Sequence, residues 1–270
     1  MSVCLHRKEH KMKEIKILSI GNSFSQDTME HLAEILKSLG YEKIKLGNLY
    51  IGGCSINQHY DKIETNAKKY EYFTNDGNGW ICTPETSSVD AIESDNWDWI
   101  SIQPGTGDGS RATDPESYKN LPKLCAKVRA LANENVKLAF TMTWFGEPSN
   151  EHPEMVSYNG DQLKMYGLLA DIMQNTVIPM NCVDVITPMG TAVQNARTSS
   201  LETVCRDGYH LTFDTGRYFA GLTFVKALLG ENIDNIEYSP EGVDEKAKKI
   251  AIESANNAIK TPFSITRSIY

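Results

Sequence analysis

Short apolar runs alternate with amphipathic stretches along nearly the whole chain, and few architectures accept that rhythm. Ile15-Lys16-Ile17-Leu18-Ser19-Ile20 reads as a first strand. From Gln26 to Leu39, the apolar residues Met29, Leu32, Ile35, Leu36 and Leu39 recur at helical spacing, and Gly40 ends the run. The pattern then repeats. Strands are predicted over 43–50, 97–103, 136–143 and 177–183, and helices over 56–70, 115–132, 158–176, 188–198, 213–229 and 243–259. Alternation of this kind predicts an α/β protein, a three-layer α/β/α sandwich around a central five-stranded parallel sheet. Residues 71–94 break the rhythm. Asp76-Gly77-Asn78-Gly79 is a turn signal between Tyr72-Phe73 and Trp80-Ile81, so a β-hairpin inserted outside the main sheet is predicted there. Residues 1–14 are charged and lack an apolar core, which predicts a flexible leader rather than a signal peptide. Residues 15–270 read as one domain, with no internal repeat and no long linker.

Charge narrows the partners. With 27 basic and 35 acidic residues, the net charge is −8, which argues against nucleic acid and anionic membrane surfaces. No run approaches the ~18 apolar residues of a membrane helix. The six cysteines form no C-x-x-C pair, so neither a zinc knuckle nor a thioredoxin motif is supported, and reduced, mostly buried thiols are predicted. His10, His31, His152, Asp108 and Asp114 show no metal-ligand spacing, so no metal and no cofactor are expected.

Ligands in open α/β sheets bind beyond the carboxyl ends of the strands, and the chemically interesting residues fall there. In Gly21-Asn22-Ser23-Phe24-Ser25 a glycine ends the first strand and a serine precedes a helix. Such a serine either caps the helix or presents its hydroxyl above helix N–H groups that favour negative charge. A serine nucleophile needs a base, and the base needs an orienting acid. Asp207-Gly208-Tyr209-His210 offers both, three residues apart, although an Asp and a surface His at that spacing are also commonplace. Ile51-Gly52-Gly53-Cys54-Ser55 and Ser101-Ile102-Gln103-Pro104-Gly105 follow the second and third strands. Trp144 follows the fourth, as a pocket wall or as core packing, and His59 follows the second glycine segment, as pocket lining or as surface.

Taken together, the Ser23 and Asp207/His210 segments at opposite ends of an α/β chain resemble the blocks of the SGNH or GDSL hydrolase superfamily. The GNSFS, GGCS and DGYHLT segments and the strand-end Gln103 are similar to a branch of it that is a domain of unknown function. The resemblance implies the flavodoxin-like SGNH fold, with Ser23 as nucleophile, His210 as general base and acid, and Asp207 as its orienter. It also implies an oxyanion hole formed by the Ser23 backbone N–H, a glycine N–H (Gly53, or Gly52 in its place) and an amide. The superfamily's third block usually reads Gly-x-Asn-Asp; here Gln103 stands at the strand end, as in some carbohydrate-esterase branches. One such donor lowers a barrier by about 2.7–4 kcal/mol.

The resemblance therefore leads us to expect a serine esterase acting on a short-chain acyl ester, such as an O-acetyl group on a carbohydrate. A non-catalytic carbohydrate-binding relative with the same fold is the alternative, and a metal-dependent phosphodiesterase lacks a visible ligand set.

Overall fold

The computed structural model describes residues 12–148 and 151–270. The chain runs β1 (Glu14–Gly21), α1 (Ser23–Met29), α2 (Leu32–Ser38), β2 (Lys43–Tyr50), α3 (Ile56–Glu64), β3 (Tyr70–Asn75), β4 (Ile81–Thr86), α4 (Ser88–Glu93) and β5 (Trp99–Ile102). It continues through α5 (Leu121–Leu131), β6 (Lys137–Thr141), α6 (Pro153–Ser157), α7 (Gln162–Ile172), β7 (Val185–Thr187), α8 (Met189–Arg197), α9 (Thr215–Leu229) and α10 (Glu245–Lys260). The first eleven residues of the expected leader lie outside the described residues, and Glu14 already belongs to β1.

The sheet has seven strands, not five, in the order β4-β3-β2-β1-β5-β6-β7. β2, β1, β5, β6 and β7 are parallel. β3 and β4 are antiparallel and form the hairpin expected to lie outside the sheet; it lies within it, because β3 pairs with β2 from Leu46↔Asn75 to Tyr50↔Glu71. The hairpin satisfies backbone groups that β2 would otherwise present at an open edge. Exposed β4, which carries Pro84, becomes the edge instead.

Both faces of the parallel strands are covered, which explains their near-continuous apolar runs. Ile15, Ile17, Leu46, Trp99 and Ala139 pack toward α1, α2, α8, α9 and α10. Leu18, Ile20, Leu49, Ile100 and Phe140 pack toward α3, α4, α5 and α7. Side chains alternate across a strand, so neighbours such as Ile17 and Leu18 serve opposite layers.

Two further expectations are corrected. The predicted helix over 26–39 is two helices, broken at His31, whose ring reaches Phe213 O at 2.9 Å and Tyr238 Oη at 3.1 Å. The predicted strand over 177–183 is not a strand. α7 instead runs on through a π turn, Met173–Val177, and a 3-10 turn, Ile178–Met180, to a left-handed Asn181. The last strand is the short β7 beyond it. Pro179 has no N–H for a sheet ladder, and a short apolar run does not by itself distinguish strand from helix.

Lys16 of β1 and Lys45 of β2 are register partners, and Asp95 lies between their ammonium groups at 2.7 and 2.5 Å. Partial burial opposes ionisation of Asp95, but the two lysines and the Asn96 N–H outweigh it and bring the carboxyl from 3.8 to about 2. A carboxyl lowered on folding stabilises above its ordinary value, and that contribution fades as pH falls toward the folded value. Asp95→Asn is expected to cost about 1–2 kcal/mol in urea denaturation at pH 7. The deficit should shrink between pH 4 and 2, and equal stability at pH 7 would contradict the assignment.

Candidate active site

β1 ends at Gly21, where a side chain would bring a Cβ within 2.5 Å of Ser25 Oγ, so the strand turns tightly into α1. Asn22 caps that helix: its Oδ1 accepts from the Phe24 N–H at 3.0 Å. Its Nδ2 donates to Cys54 O at 3.3 Å and to Pro104 O at 3.1 Å, so one carboxamide joins the loops after β1, β2 and β5. A Cβ on Gly105 would collide with the carbonyl oxygens of Gly53 and Cys54, and Gly107 N–H donates to Gly53 O at 2.7 Å. The cap is therefore Asn22, and neither Ser23 nor Ser25 is used as one. Ser23 is the first residue of α1, where a backbone N–H has no intrahelical acceptor.

The loop before α9 comes to Ser23 from the other end of the chain. An isolated bridge, Cys205↔Leu211, closes a tight turn around Gly208, at φ 76°. Within it, Asp207 Oδ1 accepts from the N–H groups of Tyr209 at 2.9 Å and His210 at 2.7 Å. Asp207 Oδ2 lies 2.7 Å from His210 Nδ1, and His210 Nε2 lies 2.9 Å from Ser23 Oγ. The three side chains are thus hydrogen-bonded in series. Partial burial raises the Asp207 carboxyl, but the His210 ring and the two backbone donors prevail and hold it below the ordinary carboxylate range.

What brings this turn to α1 is a fully buried carboxylate. Asp27 lies one turn along α1 from Ser23. Its Oδ1 accepts from Arg206 Nη1 at 3.0 Å and from Arg217 Nε at 2.9 Å, and its Oδ2 accepts from the Leu211 N–H at 2.9 Å. Arg206 and Arg217 share the Phe213 ring, at 4.5 and 4.7 Å.

Ser23 opens on a cavity of about 50 Å³ whose lining includes Gly53, Thr106, Trp144, His152 and Tyr209. Trp144 is a wall. It stacks on Phe24 at 4.0 Å between ring centres and donates from Nε1 to Tyr209 O at 3.0 Å. Tyr209 stacks in turn on His152, at 5.3 Å and 8°. Gly53, at φ 64°, faces the same space.

One expected residue is not brought there. His59 does not line the cavity; it is fully buried behind the Gly53-Cys54 turn, with Nδ1 2.7 Å from Tyr70 Oη and 3.4 Å from Cys54 Sγ. Its helix turns the ring inward, and burial lowers its pKa to about 3, so the imidazole is neutral. Gln103 is not among the residues that line the cavity, but its neighbour Pro104 is. Gln103 is 1% exposed, and its buried Nε2 has no hydrogen-bond partner among the described residues. Asn22, Asp27, Tyr209 and His152 are the site residues that motif reading missed. Asn22 carried a usable signal, an Asn immediately before a helix; Asp27 carried none, being one acid on a helix. The described residues hold no cluster of three or more His, Cys, Asp or Glu able to bind a metal ion.

The family described as domain of unknown function DUF4886 matches residues 16–258. The crystal structure of a DUF4886 family protein from Bacteroides uniformis is 36% identical, with 94% of this chain and 98% of that one covered and a TM-score of 0.88. LAE5, an alpha/beta hydrolase enzyme from the metagenome of Lake Arreo, Spain, is similar in fold, at 13% identity and TM-score 0.50 over 80% of this chain and 96% of its own. An acetylxylan esterase from Geobacillus stearothermophilus is a more distant likeness, with 16% identity and TM-score 0.47 over 82% and 96%. No functionally curated protein matches the sequence. LAE5 and this chain thus share an α/β fold in which helices flank a central, mostly parallel sheet.

Removing Asp27 would leave the Arg206 guanidinium without its carboxylate and Arg217 with Glu30 alone. Asp27→Ala is expected to lose about 3–5 kcal/mol of stability in urea denaturation at pH 7. A loss below about 1 kcal/mol, the scale of an exposed pair, would show that the clamp is dispensable.

Proposed function

We propose that this chain, which belongs to the DUF4886 family, is a serine esterase that hydrolyses short-chain acyl esters, with an O-acetyl group on a carbohydrate as the substrate. The observation that carries the reading is the continuous hydrogen-bonded series Asp207–His210–Ser23 ending on a small cavity. Ser23 Oγ attacks the acyl carbonyl while His210 Nε2 takes its proton. Asp207 holds Nδ1 and so fixes the tautomer with the basic nitrogen toward Ser23. The carbonyl carbon gains a bond to Oγ and then loses the alcohol, which leaves with the proton from His210. Water repeats the sequence with His210 as base, releasing the carboxylic acid and restoring Ser23.

The oxyanion would form beside the backbone N–H groups of Ser23 and Gly53, two residues that line the cavity. Gln103 is the third donor of this proposal, and its support is chemical. A buried amide donor without a partner costs about 1–3 kcal/mol, and a developing negative charge nearby would give it one. Cavity size supports the short acyl chain. A water needs about 10–15 Å³ of such space, so about 50 Å³ holds only a few heavy atoms.

Ser23→Ala is expected to abolish turnover of p-nitrophenyl acetate, and a fluorophosphonate should label the parent protein but not the variant. Full activity in the variant would refute the assignment. Absence of labelling on folded parent protein would favour the non-catalytic binding relative. Asp207→Asn should lower kcat by about 10²–10⁴-fold through loss of base orientation, measured with the same ester.

A further inference from the structure

A second cavity, of about 220 Å³, opens between α1 and the β3-β4 hairpin. Gln26, Met29 and Glu30 line it from α1, Asn48 from β2, and Phe73 and Trp80 from the hairpin. Gln26 lies three residues beyond Ser23 on α1, and Glu30, which caps the helix, lies seven beyond, about 4–11 Å of helix rise. The two cavities also share a polar link. Ser25 Oγ lies 2.7 Å from Asn22 O and 2.8 Å from Asn48 Oδ1, so the second cavity is tied to the turn that carries Ser23.

Its walls are built rather than incidental. The hairpin turn is pinned by Asn75 Oδ1, which accepts from the N–H groups of Gly77 at 2.8 Å and Gly79 at 3.2 Å, while Lys37 of α2 donates to Gly77 O. Phe73 meets the Tyr50 ring edge-on at 6.1 Å, and Trp80 packs on the core below while staying half-exposed. Asn48 is 2% exposed, and with its Oδ1 occupied by Ser25 its carboxamide nitrogen is the polar group left for a ligand. Glu30 is held by Arg217 at 3.0 Å through Oε2, which leaves Oε1 as an acceptor.

Half-exposed aromatic faces beside amide donors and a fixed carboxylate make a surface for a polyhydroxylated ring. The aromatic rings meet its C–H face, and the amides and carboxylate meet its hydroxyl groups. The volume equals roughly fifteen to twenty water-sized groups, enough for one pyranose. We propose that this cavity binds a neutral pyranose ring of the alcohol part of the substrate, with Trp80 as its platform. The link to Ser23 rests on the esterase reading above, whereas binding at the cavity does not.

Two measurements separate the ideas. Titrating the parent protein with a mixture of methyl glucopyranoside, galactopyranoside, mannopyranoside and xylopyranoside should shift the Trp80 indole N–H resonance saturably, in a spectrum assigned with Trp80→Phe. No shift would overturn the cavity's role, whether or not Ser23 is a nucleophile. Where esterase activity is present, the ratio of kcat/KM for methyl 6-O-acetylglucoside to that for ethyl acetate should fall about tenfold in Trp80→Ala, mainly through KM, a loss of about 1.4 kcal/mol. Trp80→Phe, which keeps a ring, should restore most of the ratio. An unchanged ratio in folded Trp80→Ala would overturn the assignment of the alcohol to this cavity. Turnover and labelling that both fail would refute the esterase reading alone, leaving the resonance shift to decide the cavity.

Discussion

A carboxylate buried without its counter-charges would be among the most destabilising groups in the molecule. Asp27 is buried completely, and what makes that tolerable is a set of donors delivered by residues about 180 positions away. Arg206 and Arg217 flank the His210 turn on either side, and the Leu211 N–H adjoins it directly. Folding α1 against the sheet therefore requires the far loop to arrive, and the arriving loop brings His210 within hydrogen-bond reach of Ser23. The same clamp that satisfies an electrostatic demand of the core fixes the geometry at the surface above it.

That coupling also accounts for how the site reads in sequence. Ser23, Asp207 and His210 were legible because each sits in a short segment with its own turn chemistry, and the separate segments resemble known blocks. Trp144 was legible as an aromatic after a strand, although only the fold shows Phe24 beneath it. His59 looked equally accessible, but helical phase decides which way a ring points, and α3 turns this one toward Tyr70. Gln103 was identified from its place at a strand end, and what the chain did not reveal is that its amide nitrogen is enclosed, with no hydrogen-bond partner among the described residues. Asp27 was illegible because nothing local marks a single acid on a helix as the partner of two distant arginines.

The fold was read well where periodicity is strong and poorly where two structures share one pattern. The parallel strands β1, β2, β5 and β6 and the long helices follow directly from apolar spacing. The hairpin's existence was written in its glycine turn, but its membership of the sheet depends on an open edge of β2, which is a property of the assembled sheet. The segment around Pro179 was apolar enough for a strand, yet it prolongs a helix: none of Ile178–Met180 is buried, and proline disfavours the ladder.

Asn22 joins three strand-end loops by donating from its carboxamide to backbone carbonyls of the other two, and Gly105 lets those loops touch. Beyond Asn22 and Gly105 themselves, contacts of that kind depend little on the side chains of the accepting loops but strictly on loop length. An inserted residue after β1, β2 or β5 would displace all three together, so this side of the pocket is closed to gradual change. The Trp144 side and the β3-β4 hairpin lie outside that junction, and they are where related chains can diverge in what they accept without dismantling the apparatus at Ser23.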